Sequence, residues 1–194
     1  EMLDLPQICE AIGSGRRAAL LLRHSERPPI RTDDKEFGRT LGLTPRGIEM
    51  ARAAGAHLAG LGDARFFASP MARCRLTARH MAEGMGLPDA TVTDADPLGV
   101  RGFYYEDCYA VQEQMRQRGY MAFMLDYLRD GTAPHSRPIG PATDQLADWL
   151  RRNASTRLGI FISHDIFIAS FLTGLNIRTY TAEDWVGFLH GAAL

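Results

Sequence analysis

Four short apolar runs along the chain are typical of buried strands. They cover residues 18–22, 64–68, 90–93 and 158–162. Each run is too short for a core helix and alternates little between apolar and polar positions. Such runs indicate parallel strands that are covered on both faces.

Helical spacing fills the stretches between these runs. Thr44 and Pro45 predict a helix start, with Thr as N-cap and Pro at the first helical position, and Ser69 and Pro70 predict a second start of the same kind. Further helices are predicted over residues 105–129, over residues 141–153 and after Asp165. Strands that alternate with helices predict an α/β fold: a single three-layer domain with a mostly parallel central sheet flanked by helices.

Two segments depart from this alternation. Residues 99–140 hold seven of the 17 aromatic side chains, and we interpret them as an excursion over one edge of the sheet. Their rings either form a second patch of core under a long connection or wall a substrate pocket, and both interpretations stay open. Residues 185–189 are predicted to form a late edge strand.

Length and composition narrow the class of protein. A chain of 194 residues favours one domain over residues 1–194. Its formal net charge of -1 provides no overall field for nucleic acid or an anionic membrane. Three cysteines cannot build a disulfide framework, and no apolar run approaches the roughly 20 residues of a membrane span. We therefore expect a soluble cytoplasmic protein that binds neither nucleic acid nor membrane.

Polar clusters directly follow three of the predicted strands. The carboxyl ends of parallel strands share one edge of a sheet, where ligands bind, so clusters far apart in sequence should converge there. They are Arg23-His24-Ser25-Glu26-Arg27-Pro28-Pro29, Ser69-Pro70-Met71-Ala72-Arg73 and Ser163-His164-Asp165. Together they offer two imidazoles, three guanidinium groups and two carboxylates.

Several chemistries lack their motifs in this sequence. No G-x-S-x-G elbow of a serine hydrolase is present, and no histidine pair has zinc-ligand spacing. The glycine turn at residues 13–16 lacks the Lys-Ser/Thr of a P-loop. Cys9 and Arg16 miss the nucleophile-to-arginine spacing of a cysteine phosphatase by one position.

Arginine side chains around a histidine suit a phosphoryl group. Phosphoryl transfer spreads charge over three oxygens, so positioned cations supply most of the catalysis. A neutral imidazole can attack phosphorus, and neighbouring arginine charges lower its pKa. We therefore interpret His24 as a nucleophile in a pocket of Arg23, Arg27 and Arg73.

These residues resemble the motifs of the histidine phosphatase superfamily, which has a phosphoglycerate-mutase-like fold. Its first motif is Arg-His-Gly, and one branch extends it to R-H-G-x-R-x-P; here Ser25 replaces the glycine. The other segments are similar to L-T-x-x-G, to S-S-P-L-x-R-A-x-Q-T-A and to a closing S-H or H-D motif. They are residues 43–47, residues 68–78 and residues 163–165.

The resemblance implies a role for each matching residue. His24 would form a phosphohistidine, and the phosphate would be held by Arg23, Arg27, Arg73 and His164. No metal or organic cofactor is implied. The proton donor is assigned to Asp165, as in the branch with H-D, with Asp96, Glu106 and Glu26 as alternatives.

The resulting hypothesis is a phosphomonoester hydrolase that acts on a small phosphorylated substrate or a phosphoprotein. Two alternatives remain. One is a phosphomutase on the same fold. The other is a catalytically silent module that binds phosphate, because a side chain on Ser25 could crowd the pocket.

Overall fold

The strands and helices are those of a computed structural model, which describes residues 9, 10, 12–31, 34 and 36–194. The strands are β1 (Ala18–Arg23), β2 (Ala64–Ala68), β3 (Val92–Asp94), β4 (Leu158–Ser163) and β5 (Gly191–Ala193). The helices are α1 (Pro45–His57), α2 (Ala72–Gly84), α3 (Cys108–Arg118), α4 (Tyr120–Asp130), α5 (Ile139–Asn153) and α6 (Asp165–Gly174). Residues 1–8 of the expected domain lie outside the described residues.

The central sheet has the strand order β3-β2-β4-β1-β5. β1 pairs with β4, β4 with β2 and β2 with β3, all in parallel, while β5 runs antiparallel to β1. The predicted fold class is therefore confirmed: this is a single α/β domain with a mostly parallel sheet.

Neighbouring residues of each inner strand face different cores, which explains their continuous apolar runs. Leu20 and Phe66 pack into one core with α1 and α2, whereas Leu21 and Phe67 pack into the other. Side chains alternate across a strand, so both faces of such a strand must be apolar when helices cover both. The sequence of these strands thus requires three layers.

Glycine allows α1 and α2 to approach each other closely. A Cβ atom on Gly55 of α1 would overlap the carbonyl group of Met81 on α2. A Cβ atom on Gly84 of α2 would in turn overlap the carbonyl group of Arg52 on α1. The two backbones are therefore in contact, and no larger residue fits at either crossing point without moving a helix.

The segment from residue 99 to 140 contributes most of its rings to the second core. Tyr104, Tyr105, Phe123 and Tyr127 are buried there, whereas Tyr109 is 70% exposed. These four rings belong to the apolar interior, as one of the two interpretations expects. Tyr109 lies apart from them and lines a surface cavity.

Three predictions about individual elements are wrong. The last strand is not residues 185–189 but β5, because residues 185–189 turn away from regular pairing to contact polar side chains above β1. The predicted helix over residues 105–129 is two helices that meet at Gly119, whose φ of 88° lies outside helical values. The helix predicted to start at Ser69 and Pro70 starts at Ala72, because the Ser69 amide extends the sheet by donating to the Ile162 carbonyl.

Among the residues described, no helix combines the length and the apolar character needed to cross a lipid bilayer. Cys9, Cys74 and Cys108 are all free thiols.

We expect Gly55→Ala to destabilise the fold, because backbone atoms of Met81 occupy the space that the new methyl group needs. The expected loss is about 1–3 kcal/mol of unfolding free energy, measured by urea denaturation. Gly140→Ala is the matched control, since a Cβ on this exposed residue of α5 meets no described atom within 4 Å. Equal stabilities of the two variants would contradict the close helix contact.

Candidate active site

The parallel register places two histidines side by side at the carboxyl edge of the sheet. Arg23, at the end of β1, lies opposite Ser163, at the end of β4. The next residue on each strand is a histidine, and the amide of His24 donates to the Ser163 carbonyl at 2.9 Å. The ring centroids of His24 and His164 are 5.5 Å apart. The structure thus brings together the first and last polar clusters.

His24 is buried, and one of its ring nitrogens is oriented by a backbone carbonyl. Its side chain is 2% exposed, and its Nδ1 lies 2.8 Å from the carbonyl oxygen of Ser25. A carbonyl oxygen only accepts, so Nδ1 carries the proton and Nε2 keeps its lone pair. Orientation by a backbone carbonyl therefore leaves Nε2 available as a nucleophile.

The surroundings of His24 keep its ring neutral. Burial is the main cause that lowers the pKa of His24 to about 3, and the charges of Arg73 and Arg23 lower it further. The bond to the Ser25 carbonyl and the charge of Asp165 act in the opposite direction. The imidazole is consequently in its nucleophilic form throughout the neutral pH range.

Ser25, which replaces the motif glycine, is directed toward α1. Its hydroxyl donates to the carbonyl of Gly47 at 2.7 Å, and its amide donates to Thr77 Oγ1 at 2.9 Å. A Cβ atom on Gly47 would overlap the carbonyl of Glu26, so the start of α1 rests directly on the loop after β1. The Ser25 side chain therefore joins this loop to α1.

Arg73 reaches the same place from the first turns of α2. It is 4% exposed, and its Nη1 donates to the carbonyl oxygens of Gly38 at 2.9 Å and Phe37 at 3.2 Å. Its Nη2 lies 3.3 Å from Nδ1 of His164. A cation in the first turn of a helix opposes the helix dipole, and these carbonyl contacts offset part of that cost.

The contacts of His164 define its tautomer. A guanidinium group only donates, so Nδ1 of His164 accepts from Arg73. Nε2 therefore carries the proton and donates to Ser69 Oγ at 2.9 Å. Burial, followed by the charge of Arg73, lowers the pKa of His164 well below its usual value.

Arg23 is fixed from three sides. Its Nη2 lies 3.2 Å from Oδ2 of Asp165, its Nη1 donates to the carbonyl of Val186, and its guanidinium carbon lies 4.3 Å from the centroid of the Phe188 ring. The ring face attracts the cation. Arg27 is less constrained: it is half-buried, and its Nη1 donates to the Pro28 carbonyl at 2.9 Å.

The three arginines share one feature that points to a ligand. The Nε atoms of Arg23, Arg27 and Arg73 are buried, and none has a hydrogen-bond partner in the part of the chain that the structure describes. Burial lowers the pKa of Arg27 and Arg73, and the charge of Arg73 lowers that of Arg27 further. Buried donors without partners are costly, and an anion that accepts from them would remove this cost.

Asp165 is the carboxylate of this cluster. It is the first residue of α6, and its Oδ1 accepts from the amide of Ile166 at 3.0 Å. Its Oδ2 accepts from Nε1 of Trp185 at 3.1 Å and pairs with Arg23. The buried hydroxyl of Tyr120 is close enough that the charge of Asp165, after burial, raises the pKa of Tyr120.

The alternative carboxylates lie elsewhere. Glu26 accepts from Thr44 Oγ1 at 2.7 Å and pairs with Arg46, so it supports the start of α1. Glu106 is exposed. Asp96, also exposed, lines a cavity of about 150 Å³ together with Ser69. That cavity adjoins the cluster of histidines and arginines, because Ser69 accepts from His164.

Sequence reasoning missed two sets of contacts at the site. One is the pair of carbonyls at residues 37 and 38, and the other is the aromatic segment at residues 185–188. Neither set has a local signal in the sequence, since backbone carbonyls belong to every residue and this aromatic segment has the pattern of a strand. Among the residues that the structure covers, no three His, Cys, Asp or Glu side chains are grouped as metal ligands would be.

Comparisons with known proteins place these residues in context. Residues 19–96 match the family model of the histidine phosphatase superfamily (branch 1). No curated protein matches the sequence. Several solved structures share the fold.

Three of these structures illustrate the likeness. A mutant phosphoserine phosphatase from Entamoeba histolytica, in complex with phosphoserine, is 19% identical (82% of this chain, 80% of that chain, TM-score 0.53). A mycobacterial glucosyl-3-phosphoglycerate phosphatase with inorganic phosphate is 18% identical (84% and 80%, TM-score 0.54). The ecdysone phosphate phosphatase of Bombyx mori, with tungstate, is 16% identical (92% and 88%, TM-score 0.50). At these identities the likeness establishes the fold.

Because His24 is neutral in the folded protein, we predict that the free energy of unfolding falls in mild acid. The folded-state pKa of His24, about 3, lies below the unfolded value of 6.5. Between these two values the unfolded chain binds a proton at His24 and the folded chain does not. The stabilisation is complete above pH 6.5 and is lost as the pH falls toward 3. Between pH 7 and pH 5 we expect His24 to account for about 2 kcal/mol of unfolding free energy, measured by urea denaturation.

His24→Asn should flatten this dependence on pH, because the variant has no imidazole to protonate at this position. His57→Asn, at an exposed position, is the control and should keep the dependence of the unaltered protein. The same slope for all three proteins would show that His24 is not held neutral by the fold.

Proposed function

This chain has the histidine phosphatase superfamily match over residues 19–96 and the phosphoglycerate-mutase-like fold, and from these we propose that it hydrolyses phosphomonoesters through a phosphohistidine on His24. The family match confirms the resemblance for the three motif segments that lie within residues 19–96. The observation that best supports the proposed activity is the neutral imidazole of His24, beside three arginines whose buried Nε atoms have no hydrogen-bond partner among the described residues.

The first step transfers the phosphoryl group to His24. Nε2 attacks phosphorus in line with the leaving oxygen, so that a P–N bond forms as the P–O bond of the ester breaks. Arg23, Arg27 and Arg73 bind the non-bridging oxygens and stabilise the charge that spreads over them. We also assign His164 to the phosphate site, where it orients Arg73.

The second step releases phosphate. Water attacks phosphorus opposite His24, the P–N bond breaks, and the imidazole returns to its neutral state with Nδ1–H still bonded to the Ser25 carbonyl. Asp165 gives a proton to the leaving oxygen in the first step and takes one from water in the second. Its position supports this role, since Oδ2 of Asp165 lies 3.2 Å from Nη2 of Arg23, one of the three arginines proposed to bind the phosphate.

Asp96 is the alternative donor, supported by its place in the cavity beside Ser69. We propose small phosphorylated molecules as substrates, with phosphoproteins as the alternative. Two of the structural neighbours, a phosphoserine phosphatase and a glucosyl-3-phosphoglycerate phosphatase, carry names of this substrate class.

We expect His24→Ala to lower the hydrolysis of 4-nitrophenyl phosphate by at least about 1,000-fold, because the nucleophile is lost. His57→Ala, on the exposed end of α1, should keep full activity. Rapid denaturation at alkaline pH, after mixing with ³²P-labelled substrate, should trap label on the unaltered protein and none on His24→Ala. Undiminished hydrolysis by His24→Ala would remove this residue from the mechanism.

The same trapping experiment separates the alternatives. Label that passes to the other hydroxyl of 3-phosphoglycerate, rather than to water, would identify a phosphomutase. No label from a panel of phosphomonoesters would identify a silent module.

Leaving groups distinguish the two candidate donors. An alkyl phosphate needs protonation of its leaving oxygen, whereas 4-nitrophenol leaves readily without it. We expect Asp165→Asn to slow alkyl phosphate hydrolysis by about 100-fold and 4-nitrophenyl phosphate hydrolysis by less than about 10-fold. Asp96→Asn should lower each of these two hydrolysis rates less than Asp165→Asn does. The reverse pattern would assign the proton donor to Asp96.

A further inference from the structure

We infer that Trp185 is a positioning residue, and that residues 185–188 (the C-terminal clamp) fix Asp165 and Arg23 for phosphate binding and proton transfer. The inference rests on the proposed function and deepens it. Neither the motifs nor the family match reaches this segment, since the matched residues end at position 96 and the closing motif at Asp165.

Each side of the clamp holds a different charged group. Nε1 of Trp185 donates to Oδ2 of Asp165 at 3.1 Å. The carbonyl of Val186 accepts from Nη1 of Arg23, and the ring of Phe188 covers the guanidinium group of Arg23. Arg23 and Asp165 are also paired with each other at 3.2 Å. One short segment therefore sets the position of a cation at the end of β1 and a carboxylate at the start of α6.

The clamp is held firmly enough to act as a scaffold. The two residues that follow it are bonded to the end of β1: the Arg23 amide donates to the His190 carbonyl at 2.9 Å, and the Leu189 amide donates to the Arg23 carbonyl. β5 follows directly and pairs with β1. Val186 is 4% exposed and packs into the second core.

Aromatic rings fix the indole of Trp185. Its ring meets those of Tyr120 at 6.3 Å and Tyr180 at 5.7 Å, both edge to face. Burial of the Tyr120 hydroxyl, followed by the charge of Asp165, raises its pKa. Since an indole N–H only donates, the contact with Asp165 has a defined direction and binds one carboxylate oxygen.

Removal of the indole N–H should free the carboxylate to rotate and should loosen Arg23, which shares the same oxygen. A catalytic group displaced by as little as 1 Å can lose about 100-fold in rate. We therefore expect Trp185→Phe, which keeps an aromatic ring, to lower kcat for an alkyl phosphate by roughly 10-fold or more. It should also weaken competitive inhibition by inorganic phosphate, because Arg23, which is proposed to bind the phosphate, is then less firmly held.

Trp149→Phe is the matched control. Trp149 is partly buried against Phe67 and Phe161, with ring centroids 6.0 Å and 5.7 Å away, and its described ring contacts include none of the residues proposed to bind phosphate. Trp149→Phe should retain the kcat and the phosphate inhibition of the unaltered protein. If Trp185→Phe also retains both, the inference is wrong.

A double-mutant cycle tests whether Trp185 acts through Asp165. In the Asp165→Asn background, Trp185→Phe should cause at most a two-fold further loss of kcat, because the group that it positions is already replaced. Independent, multiplying losses would show that Trp185 only stabilises the fold and would overturn the inference.

Fluorescence supplies a test that needs no turnover and no altered Trp185. In Trp149→Phe, the emission comes from Trp185 alone, since the chain has two tryptophans. Titration with inorganic phosphate should change this emission, and Asp165→Asn should shift the emission of the free protein. An emission that neither phosphate nor Asp165→Asn alters would refute the contact. This fluorescence result does not depend on catalysis. The activity of His24→Ala tests the proposed function, so the two claims can fail separately.

Discussion

Three guanidinium groups lie together in a partly buried space beside two imidazoles, and every other feature of the site accommodates that concentration of positive charge. Burial of like charges is costly, and unpaired donors add to the cost. Carbonyls of Phe37, Gly38 and Val186 and the carboxylate of Asp165 offset part of it. The positive potential that remains suits a phosphate dianion, and the same potential helps to keep both histidines neutral.

The sheet makes this concentration of charge possible because it fixes the groups before any anion binds. Parallel pairing of β1 with β4 sets the two histidines at adjacent strand ends, and α2 directs Arg73 to them. The glycine at position 47 lets α1 support the loop after β1 from below. Donors held in this way need no reorganisation during phosphoryl transfer, which is the main source of electrostatic catalysis.

Asp165 links the two halves of the proposed chemistry. It pairs with Arg23, and its charge raises the pKa of His24, so it acts on both the proposed phosphate-binding group and the proposed nucleophile. The indole of Trp185 and the ring of Phe188 complete this side of the site from a segment without regular structure. The proposed phosphate site is thus built from strand ends on one side and from an irregular loop on the other.

The sequence by itself determined the inner strands, the helix start at Thr44 and the convergence of the polar clusters, because periodicity and N-cap preferences are local and parallel strands share one edge. Only the tertiary structure decided the tautomers of His24 and His164, since these depend on a carbonyl or guanidinium group facing each ring. It also decided that residues 185–188 leave the sheet: their apolar pattern fits a strand, but contacts with charges distant in sequence outweigh that local preference.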